Sequence, residues 1–312
     1  TGTDYAASGG SLTLYFVPDA DFNGDVTFEY AATDDDGAVD ATPATATITV
    51  TPVAETIDGT SHADSLVGTG EDEIINGLAG NDTLNGNGGA DVLNGDQGKD
   101  LLDGGAGDDT LNGGTGDDTL SGGAGADVLD GGNGSGDVAS YENSGSGVDV
   151  DLSTGTGSGG DAQGDTLTNV EDLVGSAHDD TLTGDANANI MNGGAGDDSI
   201  VGGDGKDTLS GGIGDDTMEG GLDNDEFAFS DNDFDGGAWT DMVDGGAGNV
   251  DVINLSDVAQ GWTLEVDGAG PGAESSSGDN PSQYVDTDGF SGTITFDDGS
   301  TVVFENIEKV DW

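Results

Sequence analysis

The chain has 312 residues; 65 are Asp or Glu against 3 Lys or Arg, the formal net charge is -62, and 61 residues are glycine. That balance excludes nucleic acid, because a duplex needs a basic surface for its phosphates and the only such cations are Lys99, Lys206 and Lys309; the same sign excludes an anionic membrane surface. There is no cysteine for disulfide or thiol chemistry, and no apolar run long enough to span a bilayer or to act as a signal peptide. High charge with low hydrophobicity predicts disorder unless something neutralises the carboxylates. Because Thr1 lies inside a polar segment, the chain reads as the C-terminal part of a longer protein, for which a missing leader says nothing about secretion.

In residues 1–54, Leu12, Leu14 and Phe16, then Val26, Phe28 and Tyr30, then Ala46, Ile48 and Val50 alternate as strands with one buried face do. A sandwich takes about seven strands in roughly 100 residues, so this segment is expected to be half of one. The phrase DFNGDVTFEYAATDDDGAVDATPATATITVTPV resembles the cadherin-like and tandem repeat modules that extend bacterial adhesins; a plain β cap on the repeat region is the alternative.

From Pro52 to Gly80 a nine-residue spacing sets in, with Asp64 and Leu66, then Glu73 and Ile75, although Glu71 stands where a glycine belongs. From Gly77 to Asp130 the unit repeats without a shift: GLAGNDTLN, GNGGADVLN, GDQGKDLLD, GGAGDDTLN, GGTGDDTLS, GGAGADVLD. Asp82, Asp91, Asp100, Asp109, Asp118 and Asp127 fall in one column, with Leu84, Leu93, Leu102, Leu111, Leu120 and Leu129 two places on. Such an array stacks unit on unit instead of building a private core. Asp-x-Leu is expected to be strand, with the leucine inward, and the six places before it turn. Two nonapeptides then make one coil of a flattened right-handed parallel solenoid, an all-β fold in which residues eighteen apart stack at roughly 4.8 Å. Asp82, Asp100 and Asp118 line one edge; Asp91, Asp109 and Asp127 line the other.

Carboxylates about 5 Å apart repel by roughly 3 kcal/mol even at an effective dielectric of 20, so a cation is required between them. Hard carboxylate and carbonyl oxygens suit Ca²⁺ and disfavour zinc or copper. GGAGDDTLN (Gly104 to Asn112) and GGTGDDTLS (Gly113 to Ser121) fit at every fixed position the GGxGxDxUx nonapeptide of RTX proteins, which the chain resembles. The resemblance implies a calcium-binding parallel β-roll, in which turn carbonyls and the sixth-place Asp of two stacked loops share each ion. In this array the turn glycines concerned are Gly86, Gly88, Gly95, Gly104, Gly105, Gly107, Gly113, Gly114, Gly116 and Gly122. At the Glu71 end, ion sites do not follow from the pattern.

From Asp137 to Gly175 the nonapeptide gives way to a segment similar to the spacers between RTX blocks. Val148, Val150, Leu152, Leu167, Val170, Leu173 and Val174 predict wider coils filled by side chains without metal, and Ser153 to Gly164 reads as an exposed loop. The array resumes at Asp180 and runs through Asn189, Asp198, Asp207, Asp216 and Asp225, with core places Leu182, Met191, Ile200, Leu209, Met218 and Phe227. Its turn glycines are Gly193, Gly194, Gly196, Gly202, Gly203, Gly211 and Gly212, and Asn189, a neutral oxygen, is expected to make the weakest site.

Asp231 to Gly236 opens like an EF-hand loop, but Met242 holds the twelfth place where a glutamate is required; Asp19, Asp21, Asn23 and Gly24 raise the same possibility and Tyr30 lowers it. Asp251 and Ile253 continue the array after one inserted residue. Strand signals follow at Trp262 to Val266, and Thr293 to Phe296 with Thr301 to Phe304 read as a hairpin. Trp239, Trp262 and Trp312 are expected to cap the apolar end of the roll. The ending TITFDDGSTVVFENIEKVDW resembles the uncleaved signal region of proteins exported by type I secretion.

The expected division is a partial cadherin-like sandwich over 1–54, a first roll block over 55–136, spacer coils over 137–176, a second block over 177–254, and a C-terminal β cap with the secretion-signal region over 255–312. No HExxH helix or GxSxG elbow occurs, and His62 and His178 sit singly in turns, so no catalysis is expected. Three functions fit: the C-terminal part of a secreted, cell-surface adhesin whose roll folds on Ca²⁺; the folding domain of an RTX protease or lipase; or a surface-layer or matrix protein assembled through calcium. The partners implied are calcium, the type I secretion machinery, and surface or matrix ligands or further copies of the chain, with no membrane insertion.

Overall fold

The leucine column decides the architecture. Leu84, Leu93, Leu102, Leu111, Leu120 and Leu129 are all completely buried in one continuous apolar core. A computed structural model describes residues 24–30, 44–50, 54–230, 233, 238–248, 250–259, 261–266, 274–275 and 284–312. It divides the chain into two compact units, 1–54 and 55–312.

In the larger unit, 26 strands form one mostly parallel sheet wound into a roll. Thr119–Ala124 lies parallel to Leu101–Ala106 with Leu120 opposite Leu102. Thr110–Thr115 lies between Val92–Gln97 and Val128–Asn133, with Leu93, Leu111 and Leu129 in line. Alternate nonapeptides therefore belong to opposite faces, and each residue sits beside the one eighteen away. The coils extend back to Glu55–Asp58 and Ser65–Val67.

The strands are longer than Asp-x-Leu implies. Thr110–Thr115 (TLNGGT) and Thr119–Ala124 (TLSGGA) take in the first three places of the next unit, so half of the expected turn is strand. A parallel ladder asks only for an N–H and a C=O, which glycine supplies as well as any residue; the missing side chains hide the strand from a reading of side-chain pattern.

Within the spacer one face is unbroken, since Val138–Ser140 joins Thr119–Ala124 to Asp172–Val174 and Ala139 takes the leucine's place. The other face is interrupted: Thr166–Thr168 ends the first block, Asp149–Asp151 starts the second, and Thr156–Ser158 bridges them antiparallel. Val148, Val150, Leu167, Val170 and Leu173 are buried, and Leu152 packs against them half-buried. Ser153 to Gly164 is thus not a plain exposed loop. It contains that strand and a 3-10 turn at Gly160–Ala162, pinned by the buried Ala162 and by the Asp161 N–H donating to the Ser144 hydroxyl at 3.0 Å.

One strand closes the far end. Thr301–Asp311 runs antiparallel to Tyr284–Phe296, with Thr295 opposite Thr301, and also parallel first to Thr240–Ala247 and then to Val252–Asp257. Trp239 stacks on Phe229 with centroids 6.2 Å apart, and Trp262 meets Trp312 edge-on at 4.8 Å. The tryptophans therefore pack in the cap. In the smaller unit, Gly24–Tyr30 pairs antiparallel with Ala44–Val50, Phe28 opposite Ala46. The strand expected at Leu12 to Phe16, the acidic residues Asp19, Asp21 and Asn23, and the EF-hand-like stretch Asp231 to Gly236, apart from Asp233, lie outside the described residues.

Candidate metal centre

The edges of the roll are built from one repeated contact. Asp109 accepts the backbone N–H of Asp91 on Oδ1 at 2.7 Å and gives its own N–H to Oδ1 of Asp127 at 2.8 Å. On the opposite edge Asp82 donates likewise to Asp100 at 2.7 Å and Asp100 to Asp118 at 2.8 Å. The second block repeats it from Asp180 to Asp198 and Asp198 to Asp216, and from Asn189 to Asp207 and Asp207 to Asp225. Each aspartate is thereby locked in register by the main chain of its neighbour.

The other carboxylate oxygen is left bare. Oδ2 of Asp82, Asp91, Asp100, Asp109, Asp118, Asp127, Asp198, Asp207, Asp216 and Asp225 is buried and accepts no hydrogen bond. Burial, reinforced by like charges one coil away, pushes Asp109 to about 6, Asp127 to about 7 and Asp198 to about 8. A buried anionic oxygen without a partner is costly, and a cation removes the cost.

That oxygen faces the first-place glycine of its own loop. A Cβ on Gly104 would lie 2.5 Å from Asp109 Oδ2 and 2.7 Å from the Gly122 carbonyl oxygen; one on Gly113 would lie 2.6 Å from both Asp118 Oδ2 and the Gly131 carbonyl oxygen. Gly86, Gly95, Gly122, Gly193, Gly202 and Gly211 face their aspartates in the same way. The fourth-place glycines make the close approach between coils: Gly107 has φ 131, and a Cβ there would collide with the Gly89 carbonyl oxygen, as would one on Gly116 with that of Gly98 and one on Gly196 with the backbone of His178. Gly88 bridges to Ala106 instead. Among the described residues no three His, Cys, Asp or Glu side chains converge. The donors are therefore single carboxylates and backbone carbonyls, a hard all-oxygen set that fits Ca²⁺.

The RTX calcium-binding nonapeptide repeat family matches in four copies, over residues 67–102, 103–138, 168–200 and 192–227. The chain carries RTX calcium-binding repeats. No curated protein matches it. The RTX matches cover the loops with bare oxygens from Asp82 to Asp127 and from Asp198 to Asp225.

Two expected ligands stand apart within the RTX array. Asp180 has both oxygens engaged, by the Val148 N–H at 2.7 Å and by Ser176 through N–H and hydroxyl. Asn189, the neutral oxygen expected to make the weakest site, turns its Oδ1 to the first-place Gly184 as the aspartates turn Oδ2, but that oxygen accepts the Asp185 N–H at 2.9 Å, while Nδ2 donates to the Glu171 carbonyl at 2.6 Å. Conversely, the ladder takes in residues that a strict nine-residue count passes over. Asp118 donates to Asp137, Asp127 to Asp165, Asp216 to Asp241 and Asp225 to Asp251, which in turn donates to Glu308. Asp137 and Asp251 also carry a bare Oδ2. Asp251 was legible after one inserted residue; the phrase DTL after Gly164, repeating the array's own Asp-Thr-Leu, was the available signal for Asp165, and the insertions before Asp137 and Asp241 concealed those two. His62 and His178 are exposed in turns.

Proposed function

We propose that this RTX roll is an export-coupled folding switch in a secreted, cell-surface adhesion protein, with the edge-column aspartates whose inner oxygens are bare, and the facing turn carbonyls, as its calcium ligands. The observation that carries the reading is the line of buried aspartate oxygens without partners, in a chain of net charge -62. Where calcium is scarce those charges repel one another, the roll does not form, and an extended chain can thread the type I exporter. Outside, calcium fills the edges and the coils close.

Extracellular calcium modules have dissociation constants of about 10⁻⁴ to 10⁻³ M, so ~10 mM calcium contributes roughly 1.4 to 2.7 kcal/mol per site. Several sites together supply much of a domain's stability. The antiparallel pair Gly24–Tyr30 and Ala44–Val50, preceding the roll, supports an adhesin module over a catalytic domain joined to the roll directly. Among the described residues no helix is long and apolar enough to cross a membrane. Circular dichroism of the chain with calcium and with chelator tests the switch: strand content should collapse on chelation, and equal content in both states would reject it.

A further inference from the structure

The RTX loops are of two kinds, and the second place of the nonapeptide separates them. Wherever a loop aspartate's inner oxygen is bare, the second-place residue, or its counterpart where one residue is inserted, has a positive φ. Gly105 in the Asp109 loop, at 99°, does this without strain. Leu78, Asn87 and Asp96, at 77°, 67° and 70°, do it although they carry side chains, a conformation that is disfavoured for such residues.

Four loops whose sixth place keeps the strict nine-residue count depart from this. The Thr60 N–H donates to Asp64 Oδ2 at 2.6 Å and its hydroxyl to the same oxygen at 2.9 Å. The Thr69 N–H and hydroxyl donate to the two oxygens of Glu73 at 2.8 and 2.6 Å. Ser176 does the same for Asp180 at 2.5 and 3.0 Å, and the Asp185 N–H reaches Asn189 Oδ1 at 2.9 Å. None of these four second-place residues has a positive φ. Out of the left-handed region, the second-place amide reaches the side chain four residues on, and its N–H stands where the other loops present an oxygen with no donor.

We infer that the second-place residue decides whether a loop takes a cation: loops with a left-handed second place bind calcium, and loops with Thr60, Thr69, Ser176 or Asp185 there are closed by the chain's own donors and bind none. The closed loops come as two neighbouring pairs. Thr60 and Thr69 serve the two edges of the coil that precedes the first run of bare oxygens, and Ser176 and Asp185 those of the coil that precedes the second. Each calcium run therefore rests on a coil whose edges need no metal. At the end of the first run Tyr141 plays the same part, its hydroxyl donating to Asp165 Oδ2 at 3.0 Å. The inference rests on the calcium reading of the edge columns.

Its test is a crystal structure of the full chain grown with terbium, read by anomalous density, together with ion counts by native mass spectrometry. Density is expected beside Asp109, Asp118 and Asp207 and is not expected beside Asp64, Glu73, Asp180 or Asn189. Thr69→Gly and Ser176→Gly should each raise the ion count by one, with new density at Glu73 and Asp180. Full-occupancy density at those four loops in the parent chain, or glycine variants that gain no ion, would overturn the inference while leaving calcium binding intact. No density at any loop would overturn the calcium reading itself, and this inference with it.

Discussion

At Asp109 the two carboxylate oxygens do separate work, one holding the Asp91 N–H and the other facing the Gly122 carbonyl across Gly104. Substitutions can therefore separate register from metal. Asp109→Asn keeps an acceptor for Asp91 and puts an amide where the ion belongs, so it should lose about the 1.4 to 2.7 kcal/mol of one site in ~10 mM calcium. Asp109→Ala also strands a buried N–H and should cost roughly 1 to 3 kcal/mol more. Denaturant titrations in calcium measure both. Calorimetry should show the losses confined to the loops of Asp91, Asp109 and Asp127, and a uniform loss on both edges would contradict the geometry. Gly104→Ala is expected to suppress the ion at the same loop with every ligand retained, because the methyl group would occupy the space shared by Asp109 Oδ2 and the Gly122 carbonyl.

A strand of this roll buries little by itself. In Thr110–Thr115 the buried places are Leu111 and Gly113, so the leucine is that strand's whole apolar side-chain contribution to the core. Its neighbours along the stack are Leu93 and Leu129. Leu111→Ala should therefore cost about 2 to 5 kcal/mol, as truncations in close-packed cores do, and should lower the calcium cooperativity of the first block more than that of the second. Hydrogen exchange on the two blocks would read the difference; equal deprotection of both would mean that they fold as one unit.

For the whole molecule, calcium and protons are rival ways of neutralising the same carboxylates. Asp127 and Asp251 are pushed up to about 7, and Asp198 and Asp241 to about 8, burial being the first cause in each. An unfolded aspartate titrates near ~3.9. The metal-free roll thus holds protons that the unfolded chain has shed, and the resulting stability is full below pH ~4 and lost as pH rises through about 6 to about 8. In chelator, strand content should be higher at about pH 5 than at about pH 8.5; in calcium, apparent affinity should fall as pH drops through the same window, because protons compete for the ligand oxygens. Circular dichroism and calcium titration across pH check the two signs. At the far end, removing residues 301–312 would uncover strand edges on both faces, and aggregation on adding calcium is the expected outcome by light scattering.

The period alone determined the roll. Nine-residue spacing of leucine and aspartate dictates which residues stack, because a stacked coil repeats its neighbour's geometry, and so the core from Leu84 to Phe227, the two edges and the all-oxygen chemistry were legible in the chain. The glycine half of each strand was not, since a backbone ladder leaves no mark on side-chain pattern. Nor were Asp137, Asp165 and Asp241, which insertions move out of count while hydrogen bonding returns them to the column. Only the tertiary structure decided which oxygens are satisfied: Asp180 and Asp198 share a column and a side chain, yet one is closed by Ser176 and the other is bare. That difference lies in a backbone angle four residues upstream, where Ser176 lacks the positive φ of Gly194. A backbone angle is set by how the coils pack.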